Sequence, residues 1–253
     1  MKVTFIEHSG FMVESRNYIY LFDYIGGNID KAIKSDKKIY VMVSHVHDDH
    51  FSKIIFDIAT KHNNVTYVLS YDVVKKIKKN AILSKMTEQL NIIRVQAHEK
   101  YKIDDIVVET LKSTDEGVAF IVSEKDGTIY HAGDLNWWHW EEEDDAYNRM
   151  MRGDYQKEIE TLAGEKIDLA FVVLDPRQEE QFYWGFDWYM RHTDTKIVFP
   201  MHMWKQYEVQ DRLIGMEVSE PYREKIMRVR ERYLNYKETI YESQYLYRWS
   251  GKR

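Results

Sequence analysis

Ile39-Tyr40-Val41-Met42-Val43-Ser44-His45-Val46-His47-Asp48-Asp49-His50 joins an apolar, β-branched run to three histidines and two aspartates within six residues. The run from Ile39 to Val43 has the composition and length of a strand buried on both faces, so the polar cluster stands at that strand's carboxyl end. A loop there can fold back and converge several side chains. Neutral imidazoles at His45 and His47 suit one metal ion, while Asp49 and His50 can turn toward a second. Each divalent ion would lower the pKa of a shared water toward neutrality and yield a hydroxide nucleophile. A polar surface turn is the competing reading.

Working outward, Ser52 can cap a helix to about residue 59, residues 65–69 read as a strand and 72–79 as a helix, a β-α-β-α alternation. Before it, residues 3–7, 11–14 and 18–22 read as an antiparallel opening punctuated by Ser9-Gly10 and Arg16-Asn17. Strand signals return over 106–111, 118–122 and 128–130. A helix over about 141–162 follows, then a buried-type strand at 169–174, a short helix near 186–191, a strand at 196–199 and a helix over about 221–233. Strand-rich and helix-alternating blocks thus occur twice in order, which suits two sheets packed face to face with helices outside.

The 253 residues are 44% hydrophobic and contain no Pro/Gly/Ser-rich linker, which predicts one domain over 1–253. Cysteine is absent, so any metal shell is built from nitrogen and oxygen. The formal charge of −6 argues against nucleic acid as a partner. The opening Met1-Lys2-Val3-Thr4-Phe5-Ile6 lacks the pattern of a signal peptide, and no apolar run approaches the roughly 18 residues of a membrane span. A cytoplasmic protein with a small-molecule substrate and no membrane partner is expected, with self-association left open.

The H-x-H-x-D-H pattern of residues 45–50 resembles the metal motif of the metallo-β-lactamase superfamily, and the resemblance extends over most of the chain. It implies an α/β fold, an αββα sandwich of two mixed β-sheets flanked by helices, with later ligands at strand ends. Tyr130-His131-Ala132-Gly133-Asp134 is similar to the family's H-x-G-D segment, with Asp134 as the carboxylate bridging two metals. Phe199-Pro200-Met201-His202 is similar to its last ligand segment, which puts His202 on the second metal. Where the family usually has a further histidine, this chain has Ser113-Thr114-Asp115-Glu116-Gly117. A carboxylate can replace imidazole, so Asp115 is either the missing ligand or a turn residue.

The implied metal set is His45, His47, Asp49, His50, Asp115, Asp134 and His202, with Asp49 and Asp134 as the catalytic carboxylates. Two divalent ions are implied: zinc first, with manganese or iron(II) open because an oxygen-richer shell favours harder ions. The sequence resembles the lactonase-like branch, whose metal-bound hydroxide attacks an ester, lactone or phosphodiester; a small anionic substrate is expected here. A nuclease and a non-catalytic metal-binding module are the alternatives, and no basic block or nucleic-acid-gripping insertion is visible.

His8 can contact substrate or donate a proton, or else simply hydrogen-bond backbone at a strand end. Arg177 can grip a carboxylate or phosphate, or pair with Asp175 at a turn. Trp137, Trp138 and Trp140 cannot all point one way, so at least one, with Trp138 as the candidate, can line the substrate pocket, against the reading of plain core. His131 reads as packing or as a group behind the ligands. His62, His98 and His192 read as solvated, and Glu141 to Asp145 as a solvated helix start. Tyr241, Tyr245, Tyr247 and Trp249 interleave with Arg248, Lys252 and Arg253, and read as a packed terminal segment or a dimer contact rather than a base-stacking surface.

Overall fold

The structure, a computed structural model, describes residues 1–27, 29, 33 and 36–229, which form two compact units, 1–95 and 96–229. The first unit contains β1 (Lys2–Glu7), β2 (Gly10–Glu14), β3 (Tyr18–Phe22), β4 (Lys38–Val43), α1 (Ile58–Lys61), β5 (Val65–Ser70), α2 (Tyr71–Lys79), α3 (Ala81–Thr87) and β6 (Ile92–Val95). Its six-stranded sheet runs β1 to β6 in order, antiparallel through β3 and parallel from β3 to β6. Parallel pairing requires crossovers, and the segments read as helical supply those from β4 to β5 and from β5 to β6. Strand β4 is central, with Ile39, Val41 and Val43 on one face and Tyr40 and Met42 on the other, all buried. The first face joins Leu21, Leu69 and the α2 residues Val73 and Ile77 in one cluster. Each such side chain contributes roughly 1.5–3 kcal/mol on burial.

The second unit contains β7 (Lys100–Ile103), β8 (Ile106–Lys112), β9 (Val118–Glu124), β10 (Gly127–His131), α4 (Asp145–Glu160), β11 (Lys166–Ile167), β12 (Leu169–Val173), α5 (Trp184–His192), β13 (Asp194–Thr195), β14 (Val198–Met201) and α6 (Glu208–Gly215). Its six-stranded sheet has the order β14-β12-β10-β9-β8-β7, parallel from β10 to β14 and antiparallel from β7 to β10. Pro200 lies within β14, where the edge position tolerates a residue without an amide hydrogen. The acidic run is exposed, and Asp144 caps α4 by accepting from the Tyr147 amide at 2.8 Å. Both sheets are mixed and carry helices, the α/β class that the sequence predicts.

One expected element differs. In place of a helix beginning near residue 221 there is a 3₁₀ turn, Arg223–Lys225, followed by extended chain. The Gln210 side-chain amide clamps both backbone groups of Val229, at 2.6 and 2.8 Å, and the Met227 amide donates to the Val198 carbonyl. These bonds draw the segment alongside β14 and compete with helix formation. Residues 230–233 of that expected helix and the aromatic–basic segment from Tyr241 onward lie outside the described residues.

The carboxyl ends of β3 and β4 are tied together by Asp23, which is fully buried. Its backbone amide donates to the Met42 carbonyl at 2.9 Å. Its carboxylate accepts from the Ser44 amide at 2.8 Å and the Ser44 hydroxyl at 2.7 Å, and lies 2.7 Å from His50 Nδ1. The β1–β2 turn closes beside it. A Cβ on Gly10 would lie 2.9 Å from the Glu7 carbonyl oxygen and 3.1 Å from that of Asp23, so only glycine fits without backbone movement. We predict that Gly10→Ala costs about 1–3 kcal/mol through this overpacking, read as a lowered urea midpoint. Asp23→Ala, measured on metal-stripped protein, is predicted to cost about 3 kcal/mol because the Ser44 and His50 donors lose a buried charged partner. A midpoint equal to the parent's would show that Asp23 does not hold the two strand ends.

Candidate metal centre

In the first unit the candidate ligands follow the β4 carboxyl end on a tight turn, in which the amides of His50 and Phe51 both donate to the His47 carbonyl, at 3.0 and 2.8 Å. This turn brings the His45 ring within 4.7 Å of His47 and 4.1 Å of His50, centroid to centroid. Ligand atoms of His45 and His47 lie within 4.8 Å of each other, and so do those of His8, Asp49 and His50. His8 Nε2 is 3.2 Å from Asp49 Oδ2. It reaches that position from the β1–β2 turn, where its φ of 52° is left-handed.

The chemistry of this donor set fits a divalent metal ion. His50 presents Nδ1 to Asp23. His45 presents Nδ1 to the Ser44 hydroxyl at 2.9 Å, and that hydroxyl donates onward to Asp23. Both rings therefore carry the Nδ1 proton, the tautomer that puts the coordinating lone pair on Nε2. Sequence reasoning missed Asp23 and Ser44. The available signal was a carboxylate immediately after the apolar strand Tyr18–Phe22, parallel to the strand that bears the histidines.

In the second unit Asp134 follows β10 through Gly133, whose φ of 52° makes the turn and whose amide donates to His131 Nδ1 at 3.2 Å. His131 is fully buried and props the turn, in line with its reading as a group behind the ligands. The Asp134 carbonyl accepts from Trp138 Nε1 at 3.0 Å, and Asp134 Oδ1 lies 3.4 Å from His202 Nε2. His202 follows β14 in a left-handed conformation that recurs at Trp204 and Lys205. With His8 and Asp23, five of the eight left-handed non-glycine residues described surround candidate ligands, the placement expected of strain kept for function.

Asp175, at the end of β12, treats His202 as Asp23 treats His50. It is fully buried and lies 2.9 Å from His202 Nδ1. It also accepts from Trp204 Nε1 at 3.3 Å and from the backbone and side chain of Arg177. Burial alone would raise this carboxyl, but the hydrogen bonds and charges of His202 and Arg177 outweigh it and hold it below the ordinary range. Arg177 thus takes up the Asp175 pairing, with Nε 3.0 Å from both carboxylate oxygens. Its guanidinium lies 4.4 Å from the Trp204 ring and 5.6 Å from that of Trp140.

The tryptophans diverge as expected. Trp137 packs against Trp184 and Trp188, whereas Trp138 stacks on Trp140 and meets His202 edge-on at 5.8 Å. Asp115 is exposed in the β8–β9 turn, where its amide donates to the Ser113 hydroxyl, and it is not grouped with Asp134 or His202. His98 is not merely solvated, since Nε2 lies 2.9 Å from the buried Glu158.

Comparison with known proteins identifies the family. The profile of the Beta-lactamase superfamily domain matches residues 2–150. A metal-dependent hydrolase of Nanoarchaeum equitans is 30% identical over 221 residues, covering 80% of this chain and 83% of the relative. One of Pyrobaculum calidifontis is 26% identical over 145 residues, covering 53% of this chain and 61% of the relative. The chain thus spans about three fifths of the length of some of the curated relatives it matches. A metallo hydrolase of Ignicoccus hospitalis shares the fold at a TM-score of 0.62 and 14% identity, over 89% of this chain and 93% of that one. This chain belongs to the metallo-β-lactamase superfamily, among relatives named as metal-dependent hydrolases.

Proposed function

We propose that the two units act as one hydrolase domain that holds two divalent ions and cleaves an ester, lactone or phosphodiester of a small anionic molecule. The observation that carries this reading is the donor set itself. The turn after β4 gathers imidazole and carboxylate atoms, and buried hydrogen bonds fix His45 and His50 in the tautomer that ligates through Nε2.

In this reading His45 and His47 would hold one ion, Asp49, His50 and His202 would hold the other, and Asp134 would serve both. The shell is mixed imidazole and carboxylate, which suits zinc first and leaves manganese or iron(II) as alternatives. The bound ions supply Lewis acidity, which brings the pKa of water near neutrality and polarises the scissile bond. Asp49 and Asp134 position the nucleophile. His8, beside Asp49, is placed to donate a proton to the leaving group. Trp138 and its stacked partner Trp140 form an apolar wall near His202, and the half-exposed Arg177 offers positive charge to the substrate's anionic group while its Nε–Nη2 edge stays on Asp175. With the backbone of Asp115 held in an exposed turn, the first ion relies on His45, His47 and Asp134.

Asp49→Ala is expected to leave a folded protein that keeps one ion after dialysis and loses hydrolysis by at least a hundredfold, about 2.7 kcal/mol of activation free energy. Metal analysis and a lactone and phosphodiester assay on the same preparation read both. Two retained ions with undiminished turnover would remove Asp49 from the site. Arg177→Lys keeps the charge and loses the planar fork, so the expected outcome is a larger rise in KM for anionic substrates than for neutral esters. Equal rises would leave Arg177 only its role behind Asp175.

A further inference from the structure

The α2–α3 hairpin carries a feature that the metal chemistry does not use. Lys75, Lys76, Lys78, Lys79 and Lys85 are all exposed on it, against Asp72 and Glu88 as its acidic groups, in a chain whose formal charge is −6. Among these cations, α3 turns Ile82 and Met86 outward, four residues apart and so on one face, at 71% and 40% exposure. Such exposure is uncommon for large aliphatic side chains. Among the described residues, three of the five large hydrophobic residues that are exposed, Tyr71, Ile82 and Met86, belong to this hairpin. Arg94 lies 5.5 Å from the Tyr71 ring and extends the positive edge.

Beside the hairpin opens a cavity of ≈ 430 Å³, lined by Phe51, Ile82 and Leu83 with Lys53, Lys76 and Asp48, whose carboxylate lies 3.5 Å from Lys76 Nζ. Lys76 also donates to the Val46 carbonyl at 3.3 Å, which ties the hairpin to the turn that follows β4. The helix that presents Ile82 is well anchored. Asn80 accepts from the Ile82 and Leu83 amides at 3.0 and 3.1 Å, and Leu83 and Thr87 face inward.

We propose that this hairpin docks the protein on an anionic phospholipid surface, with the lysines against the headgroups and Ile82 and Met86 inserted among the acyl chains. Charge complementarity selects the partner. Exposed lysines on the same hairpin as protruding aliphatic side chains match a layer that is negative outside and hydrocarbon beneath. Single-stranded nucleic acid would instead favour a row of exposed aromatic or arginine planes, of which the hairpin offers only Tyr71. Such docking requires no spanning segment, and among the described residues no helix is long and apolar enough to cross a membrane.

The test is co-sedimentation of the whole protein with vesicles of phosphatidylcholine alone or mixed with phosphatidylserine. Binding is expected only to the mixed vesicles and should fall as salt rises. Removing lysine charge should weaken it about fivefold per lysine, so Lys75→Gln/Lys78→Gln/Lys79→Gln together should lose on the order of a hundredfold. The neutral Ile82→Ser should lose about tenfold or more through the apolar contact. Both variants alter exposed positions, and an unchanged thermal midpoint would confirm that they fold. Parent protein that ignores phosphatidylserine vesicles, or variants that bind them at full strength, would overturn the proposal. Capture of a single-stranded RNA oligonucleotide without vesicle binding would overturn it in favour of a nucleic-acid surface.

Discussion

The Asp23 carboxylate, buried where β3 and β4 end, takes hydrogen bonds from two groups of Ser44 and faces His50 Nδ1 at 2.7 Å. Desolvating a carboxylate is expensive unless hydrogen bonds replace its water, and these contacts do so. The same bonds fix the register of the turn, the tautomer of His50 and, through the Ser44 hydroxyl, that of His45. Without Asp23 the histidines would still follow β4, but nothing in their own sequence would aim their Nε2 atoms.

The second unit repeats the device with different residues. Asp175 ends β12 as Asp23 ends β3, is equally buried, and holds His202 by Nδ1. Arg177 and Trp204 complete its partners. In each mixed sheet the candidate ligands stand at the carboxyl ends of parallel strands, β4 in one and β10 and β14 in the other. This is where diverging chain leaves room for loops and where backbone dipoles do not crowd a ligand. The fold thereby determines where chemistry can occur and leaves the choice of substrate to the side chains that line the site.

Much of this was legible in the sequence because the sheet strands that matter are buried on both faces. Ile39 to Val43 and Leu169 to Leu174 read as continuous apolar runs, and each ends where a functional residue begins. His45, His47, Asp49, His50, Asp134 and His202 were singled out as candidate ligands by that rule together with the family resemblance. Asp23 escaped because a lone aspartate after a strand resembles any turn residue until its partner across the parallel ladder is known. The Asp175–Arg177 pair was visible from its spacing, but its hold on His202 depends on β12 and β14 being neighbours. Over 221–229 the expected helix was misread because amphipathic periodicity cannot report that Gln210 clamps Val229 in extended chain.

Calorimetric titration of zinc into metal-stripped protein, with a His45→Ala/His47→Ala variant measured alongside, tests the central claim most directly. The account predicts two ions per chain for the parent, with one lost in the variant, and protons released if the histidines exchange them on binding. Parent protein that takes up no zinc, or a variant whose binding matches the parent's in number and affinity, would contradict it.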